Sequence, residues 1–265
     1  MSKRNLIMGM IYRYSVPKIA VFFESLKATG YSGDIVMVVA QIPDDMKAYL
    51  IARGVKLIHK PQMALWKSSM QSQRYLFYRD YLKNRVADYD YVMLSDVRDV
   101  CFQANPFEGL TSRKIQYFIE SEGVTIGEEE HNAWWCRKLM KPEDQAIMTS
   151  SPIICSGVII GGAKEVVRYL DIFRQEFRKL TPRRRMRIGG GDQTIHQCIA
   201  HVRKNVDGEI IRNHERVATM GTASRESYVF NGDKLVMSGS GHMPPVLHQY
   251  DRHPDISDTL ERTYS

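Results

Sequence analysis

Short apolar runs and amphipathic segments alternate through the first 60 residues of the chain. The apolar runs are rich in Val and Ile and predict strands, and the segments between them predict helices that end at Gly30 and Gly54. Apolar strands joined by helices are typical of a parallel sheet that is covered on both faces. We therefore expect a βαβαβ arrangement and an α/β fold. The predicted strands are 5–12, 34–40 and 55–60, and the predicted helices are 17–30 and 44–54.

The rest of the chain continues to alternate strands with helices. No internal repeat, low-complexity segment or Pro/Gly/Ser-rich linker divides it. We therefore expect one domain over residues 1–265, which includes a loop with Trp134 and Trp135 and ends in a loosely held tail at 251–265. The predicted strands here are 91–95, 114–121 and 157–162, and the predicted helices are 68–85, 164–180 and 191–204.

Composition and charge narrow the classes of function. Hydrophobic residues make up 43% of the chain and charged residues 25%, which indicates a folded protein. The formal net charge of +7 favours anionic partners such as nucleotides, sugar phosphates, anionic lipid or nucleic acid, without choosing among them. The four cysteines are far apart and form no CxxC pair, which argues against a zinc site and a disulfide framework.

The sequence pattern predicts neither a signal peptide nor a membrane span. Basic residues precede a short apolar run near the N-terminus, but Arg13 interrupts that run and no small-residue cleavage site follows. No segment approaches the roughly 18 to 20 apolar residues that a span needs. We expect a cytoplasmic protein that is at most peripheral to a membrane.

Two carboxylates follow the predicted strand 91–95 directly. Asp96 and Asp99 lie at the carboxyl end of this strand, where open α/β sheets bind ligands, and Arg98 lies between them. Two carboxylates in this place suit a hard divalent cation that holds phosphate oxygens, and Arg98 adds a charge-assisted contact to the same anion. The alternative is structural: Asp96 caps a turn, and Arg98 pairs with Asp99 at the surface.

Later stretches add further candidates, each with a structural alternative. Asp192 follows three glycines that permit close approach of a ligand, although it could serve only as a helix N-cap. His248 could ligate manganese as a neutral imidazole, although a lone histidine usually has no such role. Asp192 and His196, spaced i and i+4, form a rival ligand pair on one helix face.

Four stretches, in this order, resemble the GT-A fold glycosyltransferases that use nucleotide-sugar donors, in particular family 8-like members. "LSDVRDVCFQANPF" resembles their Asp-x-Asp metal motif in a variant form, with Arg98 in the place of the second Asp. "CSGVIIGG" is similar to the segment beside the donor sugar, and "GGGDQTIHQ" to the Asp-Gln pair near that sugar. "PPVLHQYD" is similar to the stretch whose late histidine completes the metal site. The resemblance covers roughly residues 5 to 250.

The resemblance implies a single GT-A domain with a mostly parallel, Rossmann-like sheet. Its nucleotide-binding half would be about 1–105, and its acceptor and sugar half about 106–250. It also implies transfer of a sugar from a nucleoside-diphosphate sugar to a hydroxyl of a glycan, lipid-linked or other acceptor, with Mn²⁺ or Mg²⁺ as cofactor. Tyr12 would stack on the base, and Arg74 would reach the diphosphate. The residues assigned in this way are Asp96, Asp99 and His248 to the metal, Tyr12, Arg74, Asp96, Arg98, Ser156 and Gly157 to the donor, and Asp192 and Gln193 to catalysis.

Two other functions stay open from the sequence. A nucleotidyltransferase acting on sugar phosphates also uses metal-bound aspartates on an α/β sheet, but "IYRYSVPK" has no glycine for the phosphate loop that would follow its first strand. A non-enzymatic basic nucleic-acid-binding protein would use the arginine-rich segment 182–191. Aromatic residues for base stacking are not interleaved there, so we expect no nucleic-acid partner. The same segment leaves a contact with a membrane surface or an anionic acceptor open.

Overall fold

A seven-stranded sheet forms the centre of the computed structural model, which describes residues 4–60, 70–181 and 189–264. The described strands are β1 (Arg4–Tyr12), β2 (Asp34–Ala40), β3 (Lys56–His59), β4 (Tyr89–Ser95), β5 (Val100–Phe102), β6 (Ile115–Ile119), β7 (Ile154–Gly162), β8 (Gly208–Ile211), β9 (Val217–Thr219), β10 (Tyr228–Asn231), β11 (Lys234–Met237) and β12 (Val246–His248). The described α-helices are α1 (Pro17–Ala28), α2 (Asp44–Ala52), α3 (Met70–Leu82), α4 (Glu130–Leu139), α5 (Pro142–Met148), α6 (Ala163–Lys179), α7 (Gly191–Cys198) and α8 (Pro254–Tyr264).

The strand order in the large sheet is β3-β2-β1-β4-β7-β6-β8. All neighbouring pairs are parallel except those of β7, which runs antiparallel to both β4 and β6. The predicted α/β class with a mostly parallel sheet is therefore confirmed, and the sheet is compatible with a Rossmann-like fold. The reversed direction of β7 places its amino end beside the carboxyl end of β4.

Helices cover both faces of this sheet, as the apolar strands predict. Leu6 and Met8 of β1 pack into one core together with α3 and α6, whereas Ile7 and Ile11 pack into a second core with α1 and α2. Side chains alternate between the two faces of a strand, so a strand that is buried on both faces is apolar throughout. Gly30 and Gly54 follow α1 and α2 with φ of 74° and 71°, the left-handed geometry that glycine supplies after a helix.

Two predictions about irregular segments were wrong. The segment with Trp134 and Trp135 is not a loop but contains α4, whose first turn is capped by the Glu129 carboxylate through the amides of His131 and Asn132. Glu is not among the usual N-cap residues, so the sequence does not mark this helix start.

The C-terminal segment is not a loosely held tail, because α8 is packed along its length. Ile256, Leu260 and Tyr264 lie four residues apart and are buried in a third core, which also contains Val21 of α1. This spacing places the three side chains on one helix face, and the sequence prediction overlooked it.

A small second sheet joins distant parts of the chain. Its strand order is β5-β12-β9, with β12 antiparallel to β5 and parallel to β9. Strands of three residues carry no periodic signal, and the sequence predicted none of them. The second sheet fixes the position of the residues that follow β4.

Parts of the predictions for 68–85 and 182–191 lie outside the described residues. No helix in the described ranges combines the length and the apolar character that a membrane span requires.

Candidate functional site

Two strand pairings bring the candidate ligands together at the carboxyl end of β4. The Asp96 amide donates a hydrogen bond to the Gly157 carbonyl at 2.7 Å, which extends the β4–β7 pairing by one residue. In the small sheet, His248 of β12 is paired with Val100 of β5, next to Asp99. The Gln249 amide also donates to the Asp99 carbonyl at 2.8 Å. Backbone hydrogen bonds therefore hold Gly157 and His248, which are distant in the sequence, beside Asp96 and Asp99.

Asp96, Asp99 and His248 form a cluster with the composition of a metal site. One ligand atom from each lies within 4.8 Å of the other two. Asp99 and His248 are buried, whereas 32% of the Asp96 side chain is exposed. Two carboxylates and an imidazole are ligands that manganese accepts. The three residues that the sequence resemblance assigned to a metal are thus neighbours, and metal binding itself stays a prediction.

Gly157 makes room for this cluster. A Cβ atom at position 157 would lie 2.5 Å from Nε2 of His248 and 2.8 Å from Oδ2 of Asp96. Both distances are far shorter than ordinary van der Waals contact. A residue with a side chain here would displace the imidazole or the carboxylate. Gly157 was predicted to bind the donor, and it lies against His248 and Asp96.

The His248 imidazole has one occupied and one free nitrogen. Nδ1 lies 3.4 Å from Sγ of Cys155, and Nε2 lies 3.5 Å from Oδ2 of Asp96. The second distance is long and poorly directed for a hydrogen bond, so the buried Nε2 has no hydrogen-bond partner. Burial lowers the pKa of His248, but the Cys155 sulfur and the Asp96 and Asp99 carboxylates outweigh this effect and raise it. A proton and a cation would therefore compete for Nε2.

Arg74 links the cluster to Asp192. Its guanidinium pairs with Asp96 through Nη1 and with Oδ2 of Asp192 through Nη2, the latter at 3.3 Å. The Arg74 side chain is only 8% exposed. Burial by itself would raise the pKa of Asp96, but Arg74 and then His248 hold it well below the usual range. Arg74 was predicted to reach the donor diphosphate, and its ion pairs among the described residues are with the two acids.

Asp192 lies in the first turn of α7 and differs electrostatically from Asp96. Burial raises the pKa of Asp192, and the attraction of Arg74 offsets this only in part. The Ser156 hydroxyl lies 3.5 Å from the same Oδ2 atom. Two nearby carboxyls whose pKa values are moved in opposite directions are typical of sites that separate acid and base roles. Ser156 and Asp192, both predicted site residues, are therefore adjacent.

Gln193, which follows Asp192, is hydrogen-bonded to Glu120, an acidic residue that was not predicted from the sequence. Its side-chain amide donates to Oε2 of Glu120 at 2.7 Å and to Oδ1 of Asn132 at 3.2 Å. Glu120 directly follows β6, the same arrangement of strand and carboxylate that singled out Asp96 after β4. Burial raises the pKa of Glu120, against the lowering effect of Gln193. The pattern in "YFIES" could have identified this residue.

Of the remaining predicted donor residues, Arg98 contacts the cluster, and Tyr12 ends β1, the strand beside β4. Arg98 pairs with Asp99 at 3.2 Å and with Asp251 at 3.0 Å. The pairing with Asp99 is the one that the structural alternative for Arg98 predicted. Tyr12 ends β1 with a partly buried ring and a hydroxyl that has no hydrogen-bond partner. Tyr14, which no sequence motif indicated, responds to the charge of the acids: burial and then the Asp96 charge raise its pKa. Base stacking by Tyr12 stays a prediction.

The rival pair of Asp192 and His196 belongs to no group of three or more possible ligands among the residues that the structure describes. Nδ1 of His196 lies 2.8 Å from the Tyr169 hydroxyl, and burial lowers the pKa of His196 to about 3. A neutral histidine with an aromatic neighbour is a core residue. A separate cavity of about 650 Å³ lies beside His214 and His242 and shares none of the cluster residues.

No protein-family model and no curated protein sequence matches the chain.

Proposed function

We propose that this protein is a metal-dependent glycosyltransferase of the GT-A type that uses a nucleoside-diphosphate sugar as donor. The observation that carries the proposal is the meeting of Asp96, Asp99 and His248, whose ligand atoms lie within 4.8 Å of one another. They lie at the carboxyl end of β4, the edge where open α/β sheets bind nucleotides. The order of motifs along the sequence supports the same assignment.

The three side chains fit a hard or borderline divalent cation. Nε2 of His248 is buried without a hydrogen-bond partner, and Gly157, which has no side chain, lets the His248 imidazole and the Asp96 carboxylate approach each other. Asp96, Asp99 and His248 would hold Mn²⁺ or Mg²⁺, which supplies positive charge to the diphosphate as the glycosidic bond breaks.

The chain's own residues then have separate tasks. Arg74 keeps Asp96 ionised and ties it to Asp192, so that both acids have fixed positions. Asp192, at the start of α7, accepts a hydrogen bond from a sugar hydroxyl or stabilises positive charge on the sugar ring. Gln193 holds Glu120. In this proposal Ser156, Gly157, Tyr12 and Arg98 bind the donor, a hydroxyl of a glycan, lipid-linked or other acceptor takes the sugar, and the nucleoside diphosphate leaves.

The test is the thermal unfolding of the protein with UDP-, GDP- and TDP-sugars, each with and without Mn²⁺. A ligand that binds only the folded state raises the melting temperature, by about 5 to 10 °C when it is present at about 100 times its Kd. We expect a shift that needs both the nucleotide sugar and the metal, and sugar release from that donor. His248→Ala should remove the shift, whereas His242→Ala, at the separate cavity, should keep it.

The nearest rival reaction predicts a different result. A nucleotidyltransferase would bind a nucleoside triphosphate with Mg²⁺ and release pyrophosphate in the presence of a sugar phosphate. Pyrophosphate release without any donor hydrolysis would overturn the proposal in favour of that reaction. The absence of a metal-dependent shift with every nucleotide sugar would also contradict it.

A further inference from the structure

A cavity of about 280 Å³ lies beside Gln193 and has a lining unlike that of the metal cluster. Its volume is just below that of ordinary ligand pockets, which run from about 300 to 1,000 Å³, so it fits one small ring or a similar group. We call it the Glu120 cavity. The lining residues used below are Glu120, Asn132, Trp135, Gln193, Thr222 and Gln249.

Glu120 is fixed in this cavity from both its backbone and its side chain. Its amide donates to the Ile153 carbonyl at 2.9 Å, and its own carbonyl accepts from Nδ2 of Asn213 at 3.0 Å. Oε2 accepts the Gln193 amide at 2.7 Å. Only Oε2 has a bond to a described side chain, so Oε1 is the carboxylate oxygen that is left for a ligand. A carboxylate held in this way is a preorganised acceptor of hydrogen bonds.

Trp135 supplies an aromatic ring to the same cavity, and its position is fixed by a glycine. A Cβ at position 190 would lie 2.5 Å from Cε3 of Trp135, so the indole lies directly on the backbone of Gly190. Gly190 has φ of 69° and begins the turn into α7. The helix that carries Gln193 and the helix that carries Trp135 are therefore held together at the cavity wall.

The chemistry of the lining selects a class of ligand. Amide and hydroxyl groups of Gln249 and Thr222 join the carboxylate and the indole, and no Lys or Arg is among the described residues that line the cavity. Glu129 and His131 also line it, with Nδ1 of His131 at 3.2 Å from the Glu129 carboxylate. A ring with several hydroxyls matches such a wall, because its hydroxyls hydrogen-bond with carboxylate and amide while its C–H face packs on the indole. A carboxylate on the ligand would meet the carboxylates of Glu120 and Glu129 in a partly buried place and be repelled.

We infer that the Glu120 cavity binds an uncharged, polyhydroxylated ring and that Glu120 determines this specificity against acidic sugars. The assignment of this ring as part of the donor or acceptor rests on the proposed function. Two lining residues directly follow residues of the proposed site: Gln249 follows His248, and Gln193 follows Asp192. The cavity therefore adjoins both the ligand cluster and Asp192.

The test uses free methyl glycosides without nucleotide or metal, so it does not depend on the proposed reaction. Saturation-transfer NMR is recorded with methyl glycosides of glucose, galactose, mannose and N-acetylglucosamine, and with methyl glucuronide. We expect transfer to at least one neutral glycoside and none to the glucuronide. Glu120→Gln should weaken the neutral glycoside about tenfold and make transfer to the glucuronide detectable, because the charged acceptor is lost and only the Glu129 carboxylate is left to repel the ligand.

Adjacent tryptophans provide the matched control. Trp135→Ala should weaken the neutral glycoside at least about fivefold, and Trp135→Phe should keep most of the binding, because it keeps an aromatic face. Trp134, which is 42% exposed and does not line the cavity, should be replaceable by Ala without effect. Melting curves identify any variant that fails to fold, and Glu120→Gln then carries the test.

Three outcomes would overturn the inference. They are no saturation transfer to any neutral glycoside, equal binding of the glucuronide and a neutral glycoside by the unmodified protein, or equal effects of Trp135→Ala and Trp134→Ala. Glycoside binding without any metal-dependent nucleotide binding would refute the proposed function and keep the cavity. Nucleotide binding without glycoside binding would do the reverse.

Discussion

Gly157 and His248 are in direct contact, and a Cβ on Gly157 would lie 2.5 Å from Nε2 of the imidazole. Gly157→Ala must therefore displace His248 from Asp96 and Asp99. We expect the affinity for Mn²⁺, measured by calorimetry with nucleoside diphosphate present, to fall about tenfold or more. Overpacking of the buried strand should also lower the free energy of unfolding by about 1–3 kcal/mol.

Gly161→Ala is the control for this change, because Gly161 lies on the same strand. Its Cβ would approach Cδ1 of Ile115 at 2.7 Å, away from the cluster. This variant should lose stability and keep its Mn²⁺ affinity. If both variants lose the metal to the same extent, the contact between Gly157 and His248 has no special role.

Asp99→Asn should abolish Mn²⁺-dependent sugar transfer and donor hydrolysis while leaving the fold intact. An amide is a weaker oxygen ligand and brings no charge to the cation. Asp251→Asn is the matched change, since Asp251 also pairs with Arg98, at 3.0 Å, but is not part of the ligand cluster. We expect Asp251→Asn to retain metal affinity within a few-fold. Near-normal Mn²⁺ binding by Asp99→Asn in a metal titration would refute the metal site.

The order of elements in the first half of the fold could be predicted from local pattern. The apolar strands, and the helices before Gly30 and Gly54, each have a signal within a few residues. The antiparallel direction of β7 could not be predicted, because a buried apolar run reads the same in both directions. The same holds for β5 and β12, which are too short for a period and form only by pairing with each other.

The residues of the candidate site also differ in whether a local sequence pattern predicts their position. Asp96 and Asp99 are adjacent to a clear strand, so their position was predictable from the sequence. The approach of His248 depends on the pairing of β12 with β5, and only the resemblance pointed to it. Glu120 had the same local signal as Asp96 but no motif to draw attention to it. The pairing of Arg74 with two acids joins three separate elements and has no local signal.

Leu260→Ala should destabilise the protein, because α8 is part of the fold. Leu260 is 1% exposed, and removing a buried leucine side chain costs about 2–4 kcal/mol. Glu261→Ala, at the exposed neighbouring position, should change the free energy of unfolding by less than about 0.5 kcal/mol. Urea unfolding measures both. Equal stability of the two variants would show that the C-terminal segment is a loose tail after all.

Arg203 should make stability depend on acid pH. It bonds Asp144 at 2.7 Å and Glu176 at 2.9 Å, and the Asp144 and Glu176 side chains are 10% and 6% exposed. Hydrogen bonds from Arg203 lower the pKa of Asp144, and although burial opposes it, Arg203 and Lys179 lower the pKa of Glu176. The stability from lowered carboxyl pKa values is present above the unfolded pKa, about 4, and is lost as the pH falls through the folded values.

We therefore expect Arg203→Gln to cost on the order of 2 kcal/mol at pH 7, and the difference from the unmodified protein to shrink below about pH 4. Arg79→Gln is the comparison, because its partner Asp171 has a side chain that is 41% exposed. That change should cost less than about 1 kcal/mol. Urea unfolding at a series of pH values checks both. A difference for Arg203→Gln that does not vary with pH would contradict the ionic account.

Arg74 should couple the contributions of Asp96 and Asp192 to the free energy of unfolding. Arg74→Gln leaves two acids without their shared cation, and we expect it to cost on the order of 3 kcal/mol in urea unfolding. Adding Asp192→Asn to this variant removes one of the unpaired charges, so it should recover about 1–2 kcal/mol, although the same change in the unmodified protein should be destabilising. Sugar transfer should stay lost in the double variant, because its Asp192 carboxylate is gone. Strictly additive free energies would show that Arg74 does not act on the two acids together.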